Sequence, residues 1–118
     1  MSSPSKIKGT RVENLIVSLH NEAGVDAERV PLSGSLGGKY SGDLVIGGID
    51  SPIFRGEVKA RKTGNGFSTL EGWLEGNDIL YLKRDRRQPF VAMTWDVYEE
   101  LIKVYVKSIR PSGDSDDG

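Results

Sequence analysis

Two short runs decide the fold: Gly42-Asp43-Leu44-Val45-Ile46-Gly47 and Ile53-Phe54-Arg55-Gly56-Glu57-Val58-Lys59-Ala60-Arg61. Each is rich in aliphatic or aromatic residues. The linker between them, Gly48-Ile49-Asp50-Ser51-Pro52, carries the residues that turns favour. Two strands joined by such a linker read as an antiparallel hairpin. Folding about Asp50 sets Leu44 opposite Gly56, Val45 opposite Arg55, Ile46 opposite Phe54 and Asp43 opposite Glu57. Side chains alternate between the faces of a strand. Leu44, Ile46, Phe54, Val58 and Ala60 then make a core face, while Asp43, Val45, Arg55, Glu57, Lys59 and Arg61 share the other.

That second face gathers two carboxylates and an ammonium. Directly opposed residues of an antiparallel pair hold their Cβ atoms about 4.5–5.5 Å apart, where like charges repel. A hard divalent cation relieves such repulsion, and Mg²⁺ is commonly held by one or two carboxylates together with water and phosphate oxygens. Lys59 lies two residues beyond Glu57 and points to the same side, where it can orient a water or offset charge growing on phosphorus. The pattern suits phosphodiester cleavage. Glu-x-Lys alone is also common on solvated strands, so the acid that opens an apolar strand, Asp43, carries most of the weight.

Working outward, Val12, Leu15, Ile16, Leu19 and Ala23 recur at helical spacing and predict a helix over 8–23, stopped by Gly24. An extended piece follows over 28–32, then the loop Ser33-Gly34-Ser35-Leu36-Gly37-Gly38. Beyond the hairpin, a short helix is expected over 69–75, and strands over 78–83 and 88–94 are joined by the charged turn Arg84-Asp85-Arg86-Arg87. A closing helix over 95–107 has Val97, Leu101 and Val104, joined by Tyr105 or Ile109, as its expected apolar stripe. Helices interspersed with strands predict an α/β fold in which a mixed sheet is flanked by helices.

The chain has 118 residues, enough for one core. Residues 1–8 read as a flexible N-terminal arm, 9–110 as the folded domain and 111–118 as an acidic disordered tail. Three of the 17 acidic residues lie in that tail, so the remaining 14 face all 16 Lys and Arg, a balance of +2 up to residue 110. With no cysteine, thiolate chemistry, disulfides and cysteine metal cages are excluded. No apolar run approaches the roughly 18 residues of a membrane span, and the first residues lack the apolar core of a secretory signal. A cytoplasmic protein, in a prokaryotic cell or a virus-infected host, is expected. The single histidine, His20, is expected on the exposed side of the first helix, with no nucleophile or acid arranged around it.

Several residues admit two readings. Thr10-x-x-Glu13 has the form of a capping box, which would occupy Glu13 at a helix start. Ser33 and Ser35 either fill a turn or bring backbone N–H groups close to phosphate. Lys39, Arg61 and Lys62 are candidates for neutralising phosphates. Trp73 and Trp95 read as core or interface residues.

The stretches Lys8-Gly9 leading to Glu13, Arg29-Val30-Pro31-Leu32-Ser33-Gly34-Ser35, Gly42–Ile46 and Glu57-Val58-Lys59-Ala60-Arg61-Lys62 together resemble the archaeal-type Holliday junction resolvases of the PD-(D/E)xK nuclease superfamily. About half the chain carries the likeness. The proline of the superfamily's name is missing, since Ser41-Gly42 precede Asp43. The resemblance implies a restriction-endonuclease-like mixed sheet and an Mg²⁺-dependent (or Mn²⁺-dependent) endonuclease acting on DNA four-way junctions as a homodimer. It implies that Asp43, Glu57 and the Val58 carbonyl ligate the metal and that Lys59 assists the hydrolytic water. It further implies that Glu13 adds an acidic group and that the Ser33/Ser35 loop approaches the scissile phosphate. Two alternatives stay open: another nuclease or nickase of the same superfamily, and a catalytically silent DNA-binding module.

Overall fold

A computed structural model describes residues 4–30, 42–64 and 66–110. Its elements are α1 (Pro4–Glu22), β1 (Ala27–Arg29), β2 (Leu44–Ile46), β3 (Phe54–Gly56), α2 (Phe67–Leu74), β4 (Ile79–Leu82), β5 (Phe90–Met93) and α3 (Trp95–Ile109). The protein is a small mixed α/β chain with two antiparallel sheets, one of three strands in the order β1-β2-β3 and one pairing β4 with β5. No parallel pair occurs among the described residues, so the expected single mixed sheet is replaced by two antiparallel ones. The chain divides into two compact units, 1–60 and 61–118, where one body over 9–110 is expected from the sequence. Residues 31–41 and the tail 111–118, which include the Ser33, Ser35 and Lys39 expectations, lie outside the described residues.

In the first unit, α1 begins at Pro4, inside the stretch expected as a flexible arm. Proline suits a helix start because the N–H it lacks would have no partner there. The early start places Thr10 inside the helix, which removes the capping-box reading of Glu13. At the other end, Gly24 takes φ +85°, and the Val25 N–H returns to the His20 carbonyl at 2.9 Å. This is the left-handed stop that glycine provides at a helix C-terminus. Asn21 then clamps the entry to β1: its Oδ1 accepts the Ala27 N–H at 3.2 Å. The clamp satisfies an amide at the edge of the sheet.

The hairpin register is the expected one over its centre, with Leu44 on Gly56, Val45 on Arg55 and Ile46 on Phe54. β2 is the central strand and is buried along its whole length; Val45 is 1% exposed. Simple alternation puts Val45 on a polar face and Phe54 in the core, and neither placement holds. β2, the middle strand, is buried on both faces, whereas Phe54 on the outer strand is 47% exposed. His20 is also buried rather than exposed, with its Nδ1–H donated to the Ile16 carbonyl at 2.8 Å. The core joins it to Val25, Ala27, Val30, Leu44 and Ile46. Apolar burial on this scale contributes about 1.5–3 kcal/mol per fully buried aliphatic side chain.

In the second unit, β4 and β5 pair from Ile79–Met93 to Leu82–Phe90, and α3 follows directly. Ile102 is the buried residue of α3, while Leu101 and Val104 are 53% and 69% exposed. The helix carries more apolar positions than one packing face uses, so Leu101 and Val104 of the expected stripe lie to one side of the buried position. Trp95 packs against Tyr98 at 5.1 Å between ring centroids, and burial pushes the Tyr98 phenol up from its ordinary 10.0. Trp73 is 60% exposed, so it is not a core residue of this unit. No described helix is long and apolar enough to cross a membrane.

One glycine controls the open end of the hairpin. Gly42 has φ +92°, and a Cβ there would stand 3.0 Å from the Gly56 carbonyl oxygen. At Gly72 in α2, by contrast, an added Cβ would meet nothing within 4 Å. Gly42→Ala should therefore cost about 1–3 kcal/mol, because it combines a left-handed backbone with a clash against a carbonyl. Gly72→Ala should raise stability by about 0.5–1 kcal/mol. Denaturant midpoints of the two variants check this pair of opposite signs.

Candidate active site

The site is built where the β2–β3 ladder ends. The Asp43 N–H donates to the Gly56 carbonyl at 2.8 Å, although Leu44 is already the register partner of Gly56. Two residues of one strand thus address one residue of the other, the count of a β-bulge, a feature that re-aims side chains and terminates pairing. The backbone of Asp43 is anchored on its other side too, since its carbonyl accepts the Val30 N–H at 2.9 Å. Asp43 is held by main-chain bonds to both neighbouring segments.

Its side chain supplies what the ladder stops providing. β3 ends at Gly56, well short of the expected Arg61, and Glu57 has no ladder partner. The Val58 N–H donates to Asp43 Oδ2 at 2.7 Å, so a carboxylate takes the place of a backbone acceptor. Hydrogen bonds to an ionised acceptor are shorter and roughly twice as strong as neutral ones. This bond ties the segment bearing Glu57 and Lys59 to the end of β2. Asp43 is half-buried, in keeping with an acid that has both a structural bond and access to solvent.

Glu57 and Lys59 lie on the same side of that segment, as their spacing predicts, with Nζ 3.1 Å from Oε2. Their side chains are 55% and 63% exposed, so the pair is solvated and worth at most about 1 kcal/mol. Each carboxylate of the candidate set therefore has one oxygen engaged in a contact, Oδ2 of Asp43 and Oε2 of Glu57. The oxygens that remain, Oδ1 and Oε1, are hard donors of the type Mg²⁺ and Mn²⁺ prefer. The donor chemistry fits such a cation.

Glu13 pairs with Arg29, the register partner of Leu44. Its Oε1 lies 3.1 Å from Arg29 Nε in an ion pair whose side chains are only 17% and 27% exposed. Among the described residues, no three histidine, aspartate or glutamate side chains come together to hold a metal ion. Arg29 is a residue that sequence reasoning misses. It lies 16 positions from Glu13, and no local spacing signals the pair. Gly56 does carry a signal, since a glycine inside an apolar strand marks a close backbone approach. Arg61 and Lys62 open the second unit and are exposed.

Comparison with protein-family models, with curated proteins and with solved structures returned no match.

The Glu13–Arg29 pair generates a prediction of its own. Glu13→Gln should lower the unfolding free energy by about 1–2 kcal/mol, because it leaves a half-buried guanidinium without its anion. In an Arg29→Met background the same change should cost much less, as a double-mutant cycle would show. Additive costs in the two backgrounds would mean that the pair contributes nothing as a pair.

Proposed function

We propose that the protein is a metal-dependent, structure-selective DNA endonuclease of the Holliday junction resolvase type. The observation that carries the reading is the tether between the Asp43 carboxylate and the Glu57-Val58-Lys59 segment, with Lys59 paired to Glu57. Two acids and an ammonium on adjoining backbone segments suit phosphodiester hydrolysis, the acids as cation ligands and the ammonium as a counter-charge to phosphate. In the proposed arrangement, Asp43 and Glu57 would hold Mg²⁺ or Mn²⁺ through their carboxylates. In extended chain a residue's N–H and C=O address the same neighbour, so the Val58 carbonyl is the backbone oxygen suited to share the cation. When bound, the cation supplies positive charge against the phosphate.

The chain's own residues do the rest. The Asp43–Val58 bond ties the segment that carries Glu57 to the end of β2, which limits the backbone reorganisation that binding of the phosphate would need. Lys59 exchanges its contact with Glu57 for the phosphate and offsets the negative charge that grows on its oxygens. Water oxygen bonds to phosphorus, the bond to the leaving oxygen breaks, and that oxygen takes up a proton. Glu13 is held by its ion pair with Arg29 between α1 and β1.

A four-way junction has approximate two-fold symmetry and needs two symmetric cuts, which a closed two-fold dimer supplies from identical sites. The homodimer is part of this proposal. So is a role for Arg61 and Lys62 in neutralising the DNA backbone.

The test is cleavage of labelled four-way junction, flap, nicked and linear duplex DNA with and without Mg²⁺. Symmetric nicking of the junction is expected, and EDTA should abolish it. Asp43→Asn and Glu57→Gln should each reduce the rate by about 10²-fold or more, with junction retention in a gel shift preserved. Cleavage of linear duplex as fast as junction would assign a different nuclease. Metal-independent retention with no product from the wild type would assign a silent binding module.

A further inference from the structure

The strongest feature outside the candidate active site is the tip of the β4–β5 hairpin. Lys83, Arg84, Arg86 and Arg87 crowd into it against the single acid Asp85. All five are exposed, and no described carboxylate forms an ion pair with any of the four cations. Lys83 Nζ donates only to the Arg84 carbonyl, at 3.0 Å. A solvated turn usually mixes its charges or pairs them; this one concentrates a single sign.

Its backbone adds a second observation. The Arg87 N–H closes on the Arg84 carbonyl at 3.1 Å, which makes Arg84–Arg87 a four-residue turn. Arg86 is its third residue and has φ +64°, the one positive φ outside glycine among the described residues. Glycine is the residue that accepts this conformation without penalty. An arginine there gives up backbone stability to keep a guanidinium at the tip.

The third observation is a concavity of ≈ 560 Å³ lined by Leu82, Lys83, Arg84, Arg87, Gln88 and Phe90. Phe90 pairs with Leu82 at the last rung of the ladder and is 73% exposed. Cations that bind phosphate beside an open aromatic face are the two parts of a single-strand platform: the charges track the backbone and the ring stacks a base. Three of the four cations are arginine, whose planar fork binds phosphate oxygens in pairs. The recess suits an inserted base better than a flat lipid surface.

We propose that the β4–β5 hairpin tip binds single-stranded nucleic acid, with Arg84, Arg86 and Arg87 on phosphates and a base stacked on Phe90. This site is independent of Asp43, Glu57 and Lys59. It stands whether or not the chain cleaves DNA.

Fluorescence anisotropy of the full chain with labelled DNA and RNA single strands, at a series of salt concentrations, tests it. Arg86→Gly is the decisive variant: it should keep or raise the denaturant midpoint while weakening binding about threefold or more. Arg84→Gln with Arg87→Gln should make the salt dependence shallower by roughly 0.7 in logarithmic slope for each lost phosphate contact. Phe90→Ala should weaken binding roughly 5- to 100-fold, and Phe90→Trp should restore it. Asp43→Asn should bind as the wild type does, which separates this site from the nuclease reading. Wild-type affinity and slope in the arginine variants would overturn the proposal. So would binding to phosphatidylserine vesicles with none to either oligonucleotide, which would assign the turn to a membrane surface.

Discussion

The bond from the Val58 N–H to Asp43 Oδ2, 2.7 Å long, is the constraint on which the chemistry proposed for the first unit depends. A strand that leaves its ladder at Gly56 would otherwise carry Glu57 and Lys59 off into solvent. The carboxylate substitutes for the missing ladder acceptor and keeps that segment against β2. Gly42 and Gly56 make the approach close enough, because a Cβ on Gly42 would meet the Gly56 carbonyl. The acid nearest the buried strand thus has two roles, structural through one oxygen and available to a ligand through the other. Val45, the residue two along from it, is among the most buried of the described residues, so the acid is mounted on rigid chain.

The electrostatics follow from where each charge is allowed to go. Glu13 and Arg29 form the more sheltered ion pair and neutralise each other between α1 and β1. Glu57 and Lys59 are solvated, and a solvated pair costs little to open. In the proposed enzyme the second pair can therefore change partners when a cation and a phosphate bind, whereas opening the first would leave a half-buried charge. This difference assigns bracing to one pair and ligand response to the other.

The hairpin was legible in the sequence because its information is local. Two aliphatic runs and a Gly/Asp/Ser/Pro linker specify the pairing of Leu44 with Gly56 and of Ile46 with Phe54 without reference to the rest of the chain. Glu57 and Lys59 were legible for the same reason, since an i, i+2 spacing in extended chain puts them on one side. What the sequence did not show depends on neighbours distant along the chain. Val45 is buried because β2 is central, and Phe54 is exposed because β3 is outer. The strand's end at Gly56 is decided by the side chain of Asp43, a residue of the other run. Glu13 finds Arg29 only after α1 folds over β1, and His20 is buried by the same packing. In α3 the apolar residues fill one broad face, so periodicity could not select which side of it, that of Ile102 or that of Leu101 and Val104, would be buried.

Mn²⁺ binding measured by diffraction at the manganese edge tests the central claim most directly, because it locates the cation without requiring turnover. One manganese peak is predicted about 2.0–2.3 Å from a carboxylate oxygen of Asp43 and of Glu57, lost in Asp43→Asn, with the Glu13–Arg29 pair intact. A peak at Glu13 instead, or none between Asp43 and Glu57 at saturating Mn²⁺, would contradict the assignment of the cation to these two acids.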